Sequence, residues 1–243
     1  MIIAEDYYRS VLLREVTSDT EWLDLGCGWQ LLREWLPNGK ADQVELSNRA
    51  RRLVGMDSIP EDIVRNPYLH ERLVGDVGLL PFADASFNLV TAQMVIEHLE
   101  RPDHLLKEVK RVLRVGGKFI FLTPNYLNYQ IFAASLFPEK LKKSIVGYLE
   151  GRRDSDVFKT YYRMNSRRRV FQMARARGLT VQRIYMLQSD FEFRRVPLLY
   201  GVERVLHAVA AKEMFSNFRT DILGVLVNSP DKPGRVDTET PKR

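Results

Sequence analysis

The run Glu21-Trp22-Leu23-Asp24-Leu25-Gly26-Cys27-Gly28-Trp29 constrains this chain more than any other stretch. Glu21–Leu25, with Trp22, Leu23 and Leu25 apolar, reads as a buried strand. Two glycines then let the backbone turn tightly and approach a ligand that a β-carbon would push away. An acid stands two residues before the first glycine. At the carboxyl end of a first parallel strand, this arrangement suits a nucleoside-bearing ligand.

The residues that follow repeat the theme. Arg52–Asp57 and Arg72–Asp76 are short apolar runs that each end in an acid. Leu79–Phe87 reads as a loop, Asn88–Ala92 as a fourth strand, and Lys118–Thr123 as a fifth after Gly116-Gly117. Helices are expected over Glu5–Val16, through Leu31-Leu32 and Trp35-Leu36, over 41–53 with Ala41, Val44, Ala50 and Leu53 inward, and over Arg101–Leu113. Beyond Pro124 the pattern loosens. Residues 126–160 hold an apolar patch, Ile131 to Phe137, and then a Lys-rich stretch. Asn165 is expected to cap a basic helix that stops at Gly178. Leu179–Met186 and Asp221–Asn228 read as strands six and seven, with Leu198–Met214 a helix between them. Strands alternating with helices imply an α/β fold with a mostly parallel sheet covered on both faces.

Three acids define the expected site. Strand ends of such a sheet converge on one crevice, which brings Asp24, Asp57 and Asp76 together. A carboxylate after the second strand can accept from both ribose hydroxyls, and one after the third from the exocyclic amine of adenine. An acid near the glycine turn can balance positive charge on the ligand. The pocket wants an adenosine with a cation attached. It has no cradle for a pyrophosphate, and Leu31 stands where a third glycine of the dinucleotide turn belongs.

Composition narrows the class. The single cysteine, Cys27, excludes an intramolecular disulfide and a thiolate metal cluster, so no metal is expected. The beginning of the chain lacks the pattern of a signal peptide, and no apolar run approaches a membrane span, so a cytoplasmic protein is expected. The formal charge of +6 is uneven: residues 1–150 carry 18 Lys and Arg against 21 Asp and Glu, and residues 151–243 carry 19 against 10. A basic surface favours a phosphorylated acceptor, a nucleic acid or an anionic membrane, and equally describes a solvated face with a basic tail.

The order Leu-Asp-Leu-Gly-Cys-Gly, Val-Gly-Met-Asp, Gly-Asp, then Leu-Pro-Phe-Ala-Asp-Ala-Ser-Phe-Asn-Leu-Val resembles the class I S-adenosylmethionine-dependent methyltransferases. The segment Val95-Ile96-Glu97-His98-Leu99, with Glu108 to Gly117 after it, is similar to their small-molecule branch, type 11. The resemblance covers about residues 20–125. It implies a Rossmann-like seven-stranded sheet with the last strand antiparallel and a helical insertion after strand five. It also implies one domain over 1–229, with a cofactor half to about 125, an acceptor half from 126, and a disordered tail at 230–243. S-adenosylmethionine is the implied cofactor and S-adenosylhomocysteine its product. Asp24, Gly26, Cys27 and Gly28 would line the methionine end; Asp57 would hold the ribose, with Met56 and Ser58 beside it. Asp76 would reach the adenine amine with Val77 on the ring, and Gln93 and Met94 would cover the sulfonium region. Two positions depart from the pattern: Trp29-Gln30 where a third glycine is common, and Asn88 in place of an aspartate.

Roles beyond the cofactor are less constrained. Cys27 reads as a small residue packed in the turn or as a nucleophile. His98 reads as a catalytic base or a structural residue, since its unperturbed pKa lies near neutrality. Tyr126, Tyr129, Tyr161, Tyr162 and Arg163 read as an acceptor pocket or as an aromatic clamp. The expected reaction is methyl transfer, favoured at oxygen, to a small-molecule, glycan or lipid-linked acceptor that a basic surface would allow to be phosphorylated; the Lys-rich stretch also allows peripheral membrane contact. The alternatives are an RNA methyltransferase and a non-catalytic partner subunit. Ala92-Gln93-Met94 argues against the former, lacking the Asn-Pro-Pro-Tyr type of motif that grips a base amine. The retained acids argue against the latter.

Overall fold

The computed structural model describes residues 3–129, 159–191, 193 and 197–229. The apolar patch at 131–137, the lysines at 140, 142 and 143, most of the expected helical insertion, and the expected tail at 230–243 lie outside the described residues.

The chain runs α1 (Ala4–Glu15), β1 (Glu21–Leu25), α2 (Gly39–Arg49), β2 (Arg52–Asp57), α3 (Pro60–Arg65), β3 (Glu71–Val74), β4 (Phe87–Gln93), α4 (Pro102–Val112) and β5 (Leu113–Pro124). It continues with α5 (Arg167–Ala176), β6 (Thr180–Leu187), α6 (Pro197–Ala210) and β7 (Asp221–Val227). Short 3-10 turns sit at Ile96–His98 and Glu213–Phe218. The seven strands form one sheet in the order β3-β2-β1-β4-β5-β7-β6. Parallel pairing joins β3 through β5, and β7 runs antiparallel to both β5 and β6. The Rossmann-like sheet with an antiparallel last strand is therefore as expected.

Burial explains the layering. Leu23, Leu25, Val90, Phe119 and Phe121 pack with α4 and α5 on one face. Trp22, Leu53, Leu89, Ile120 and Leu122 pack with α1, α2 and α3 on the other. Apolar side chains on both sides of central strands leave no solvated face, which is why these strands read as continuous apolar runs. The edge strand β3 is largely exposed and correspondingly short.

Four local expectations are corrected. No helix forms through Leu31–Leu36: Leu36 N–H bonds to Arg33 O and Gly39 N–H to Leu36 O, a pair of turns that Pro37 closes before α2 begins. In α2 the inward residues are Asp42, Gln43, Leu46 and Ser47, while Val44 is 46% exposed and Ala41 is exposed. Polar partners decide that face: Asp42 pairs with Arg9, and Gln43 Oε1 accepts from Leu32 N–H at 3.0 Å. Ser166, not Asn165, caps α5, accepting from Arg169 N–H, while Asn165 is buried. The helix expected over Leu198–Met214 stops at Ala210 and gives way to the 3-10 turn.

Strand order reverses between β1 and β4, since the chain builds outward one way through β2 and β3 and the other way through β5. Ligands of open α/β sheets bind at that reversal, outside the carboxyl ends of the strands. The observed order puts the glycine turn after β1 and the residues after β4 on its two walls.

Candidate active site at the carboxyl ends of the strands

The glycine turn is held from β2. Gly26 N–H donates to Met56 O at 2.7 Å, and Gly28 N–H donates to Asp57 Oδ2 at 2.9 Å. Both glycines adopt left-handed backbone, φ 65° and 49°. A β-carbon on Gly26 would stand 2.3 Å from Val95 Cγ2, so the segment after β4 closes directly on the turn. A β-carbon on Gly28 would meet nothing within 4 Å. Gly28 thus opens onto space.

Asp57 ends β2, buried, with its second oxygen accepting from Ile59 N–H at 2.9 Å. Each oxygen retains a further lone pair for a ligand hydroxyl. Ser58 is exposed beside it. The Met56 side chain is buried in the core, and its carbonyl serves the turn. Asp76 lies two residues beyond β3, exposed, with Oδ1 accepting from Gly78 N–H at 2.7 Å, while Val77 packs on the core beside it.

Asp24 sits beneath the turn. Thr91 donates to its Oδ1 at 2.5 Å and itself accepts from Trp22 Nε1–H at 2.7 Å. Burial pushes the Asp24 carboxyl up to about 7; the Thr91 bond opposes this and the charge of Asp57 adds to it. Tyr8 of α1 is buried against the same group, its hydroxyl pushed up by burial and by Asp24. Cys27 is buried, and a β-carbon at Gly55 would stand 2.8 Å from its Sγ. Burial first, then Asp24 and Asp57, pushes the thiol well up, so Cys27 packs as a small apolar residue and offers no thiolate.

On the opposite wall, Gln93 ends β4 and Met94 follows with φ 54°. A non-glycine residue held there is strained, and such strain gathers at functional sites. Met94 N–H donates to Leu122 O at 2.8 Å, which holds the bend in place.

Glu97-His98 joins this wall to the segment at 159–166. The Glu97 carbonyl accepts from Tyr161 N–H at 2.7 Å and Tyr162 N–H at 3.2 Å. Its buried carboxyl accepts from Thr123 at 2.9 Å, and Asn165 donates to Thr123 Oγ1 at 2.7 Å. Burial pushes the Glu97 carboxyl up. His98 Nδ1 lies 3.1 Å from Lys159 O, and a carbonyl only accepts, so that nitrogen carries the proton. Nε2 stands 3.8 Å from Glu97 Oε1. Tyr162 is also left-handed, φ 51°, with its ring 6.2 Å from that of Tyr126.

Tyr126, Tyr161, Tyr162 and Arg163 therefore gather over the ends of β4 and β5, with Arg163 exposed. Tyr129 goes elsewhere. Its hydroxyl donates to Glu203 Oε1 of α6 at 3.3 Å, and its ring lies 5.7 Å from that of His207. Helix α6 is built inside out: Glu203 and His207 are buried, while Val202, Val205 and Val209 are exposed. Neither ring nitrogen of His207 has a partner among the described residues, and burial pushes its pKa down.

The side chains that sequence reasoning missed are Glu5 and Arg33; Gln30 entered only as a departure from the pattern. Buried oxygens of Glu5 (Oε2) and Gln30 (Oε1) have no partner among the described residues. The open space over Gly28, the buried acid at Asp57 and these orphaned acceptors fit an adenosine carrying a cationic tail.

Comparison with known proteins agrees. Residues 23–121 match a family model described as a methyltransferase domain. The chain is 31% identical to the methyltransferase GfsG of Streptomyces halstedii over 107 residues, which is 43% of this chain and 37% of that one. It is 27% identical to the ubiquinone biosynthesis O-methyltransferase of Paraburkholderia phymatum over 142 residues, covering 56% and 59%. The matched region spans only 34–37% of the length of three curated relatives. In fold, the chain is similar to the geranyl diphosphate C-methyltransferase of Streptomyces coelicolor, solved with S-adenosylhomocysteine: TM-score 0.56, 16% identity, covering 92% of this chain and 79% of that one.

Proposed function

We propose that residues 23–121, which match the methyltransferase family model, form a class I S-adenosylmethionine-dependent methyltransferase domain of the type 11 branch, and that the protein methylates an oxygen of a small-molecule acceptor. The observation that carries the proposal is the pairing of Asp57 with the open glycine turn. One buried carboxylate fixes the Gly28 amide and keeps lone pairs for a ribose.

S-adenosylmethionine, when bound, supplies an electrophilic methyl group on sulfur. The chain's own work is alignment and exclusion of water, which contributes roughly 7–11 kcal/mol of a barrier in favourable cases. In this reading Asp57 holds the ribose and Asp76, with Val77, the adenine. Met94 and Val95 close the crevice from the β4 side. The pinned segment at Tyr161–Arg163 covers the acceptor. His98 holds its Nδ1 proton on Lys159 O, which leaves Nε2 as the atom that takes the acceptor's proton, with the buried Glu97 carboxyl beside it. An O-methyltransferase among the relatives supports oxygen as the acceptor atom.

Thermal denaturation with S-adenosylhomocysteine tests the reading. Ligand at 100 times its Kd stabilises by about 2.7 kcal/mol, a rise of several degrees in Tm. No shift at millimolar ligand would sink the proposal.

A further inference from the structure

In folds of this kind a glycine turn commonly runs into a helix whose first amides face the ligand. Here that helix is missing. Residues 29–38 are irregular, and α2 begins at Gly39. Along that irregular stretch the Leu32 N–H is taken by Gln43 Oε1, the Leu36 N–H by Arg33 O and the Gly39 N–H by Leu36 O. Without a helix start, side chains have room to receive the amino-acid end of the cofactor.

Side chains stand ready beside the turn. Gln30, two residues past Gly28, holds a buried Oε1 with no partner among the described residues. Glu5 of α1 holds a buried Oε2 that likewise has no partner among the described residues. Helix α1 brings Glu5 to the right height. Tyr8, on the same face one turn later, packs against Asp24 and Thr91 under the glycine turn. The amino end of α1 lies at the carboxyl rim, where Ala4 N–H donates to Gln188 O just past β6. Glu5 is thus one turn nearer the rim than Tyr8. Arg33 is close enough to act on the charge of Glu5, as is Asp190. An unpaired buried acceptor is destabilising, so the two call for a donor.

We propose that Glu5, Gln30 and Arg33 form the seat for the amino-acid end of the cofactor, the ammonium on Gln30 Oε1 and Glu5 Oε2 and the carboxylate on Arg33. The proposal rests on the cofactor reading above. It gives Gln30 a purpose: the residue that departs from the glycine pattern replaces the missing helix start.

The test is calorimetric titration of the full chain with two probes. S-adenosylhomocysteine carries the amino-acid end; 5′-methylthioadenosine has the same adenosine and thioether without it. Wild type should bind the first at least about tenfold tighter, the contribution of one charge-assisted hydrogen bond. Gln30→Ala and Arg33→Ala should each weaken S-adenosylhomocysteine about tenfold and leave methylthioadenosine within about twofold. Gln30→Glu, which keeps an acceptor, should hold the wild-type preference and guards against a folding defect in the alanine variant. Equal affinity of wild type for both probes would overturn the seat and leave the adenosine pocket standing. Equal weakening of both probes by the variants would also overturn it. Failure of wild type to bind either probe would remove the cofactor reading and the seat with it.

Discussion

The side of the crevice proposed to hold the cofactor and the side proposed to hold the acceptor are built by different means. Up to residue 125 the site consists of strand ends: Asp24, Asp57 and the turn between them are placed by parallel pairing of β1 with β2, register Leu25 to Met56. Beyond it the wall is held by side-chain contacts between residues far apart in sequence, such as Asn165 on Thr123. Backbone geometry recurs wherever the strands do. Side-chain networks must be assembled one contact at a time, which leaves that side free to vary its ligand. Mutations on the two sides should therefore separate cofactor binding from everything else.

The largest effect tests Asp24. Its folded pKa of about 7 lies above the ordinary carboxylate value of 3.8, so the folded state holds the extra proton between those values. Stability should be full below about pH 4, fall as pH rises toward 7, and lose roughly 4 kcal/mol in all. Asp24→Asn should flatten the curve when urea denaturation is followed across pH; an unchanged slope would place the titration elsewhere. Next comes Asp57→Ala, which strips the acceptor from the Gly28 and Ile59 amides. S-adenosylhomocysteine affinity should drop by about 100-fold, roughly 2.7 kcal/mol by calorimetry. A loss under threefold would take Asp57 out of the pocket.

On the other side, Thr123→Val removes the donor to Glu97 and the acceptor of Asn165. It should cost about 2 kcal/mol of stability and speed hydrogen exchange at the Tyr161 and Tyr162 amides, with cofactor affinity within about twofold. A matching loss of cofactor affinity would erase the contrast between the two sides. The smallest effect is Ser166→Ala, about 1 kcal/mol from the lost cap of α5, read as a shift in the urea midpoint with no change in ligand binding.

The same contrast explains what could be read from the residues alone. β1 and β2 were legible to the residue because apolar runs covered on both faces end abruptly at Gly26 and Asp57. The irregular stretch at 29–38 was not. Leu31, Leu32 and Leu36 are buried as a helix face would be, yet they are held by turns and by Gln43 from α2, a contact without a periodic signature. Asp42 and Gln43 inside α2 escaped for the same reason: Arg9 and the Leu32 amide are the partners that make polar burial tolerable. The His98 position was legible as a motif, but its tie to Lys159 joins residues 61 apart and could be found only in the fold. Glu203 and His207 left no trace, since a helix with ionisable groups inside and valines outside inverts the pattern used to read helices.

The central claim is that the glycine turn and Asp57 hold the adenosine of S-adenosylmethionine. A crystal structure of the chain with S-adenosylhomocysteine tests it most directly. The account predicts both ribose hydroxyls at about 2.7–3.2 Å from the Asp57 carboxylate, with the amino-acid end beside Gly26–Gln30. Density for the ligand elsewhere, or an Asp57 carboxylate that still touches only Gly28 and Ile59 when the ligand is bound, would contradict it.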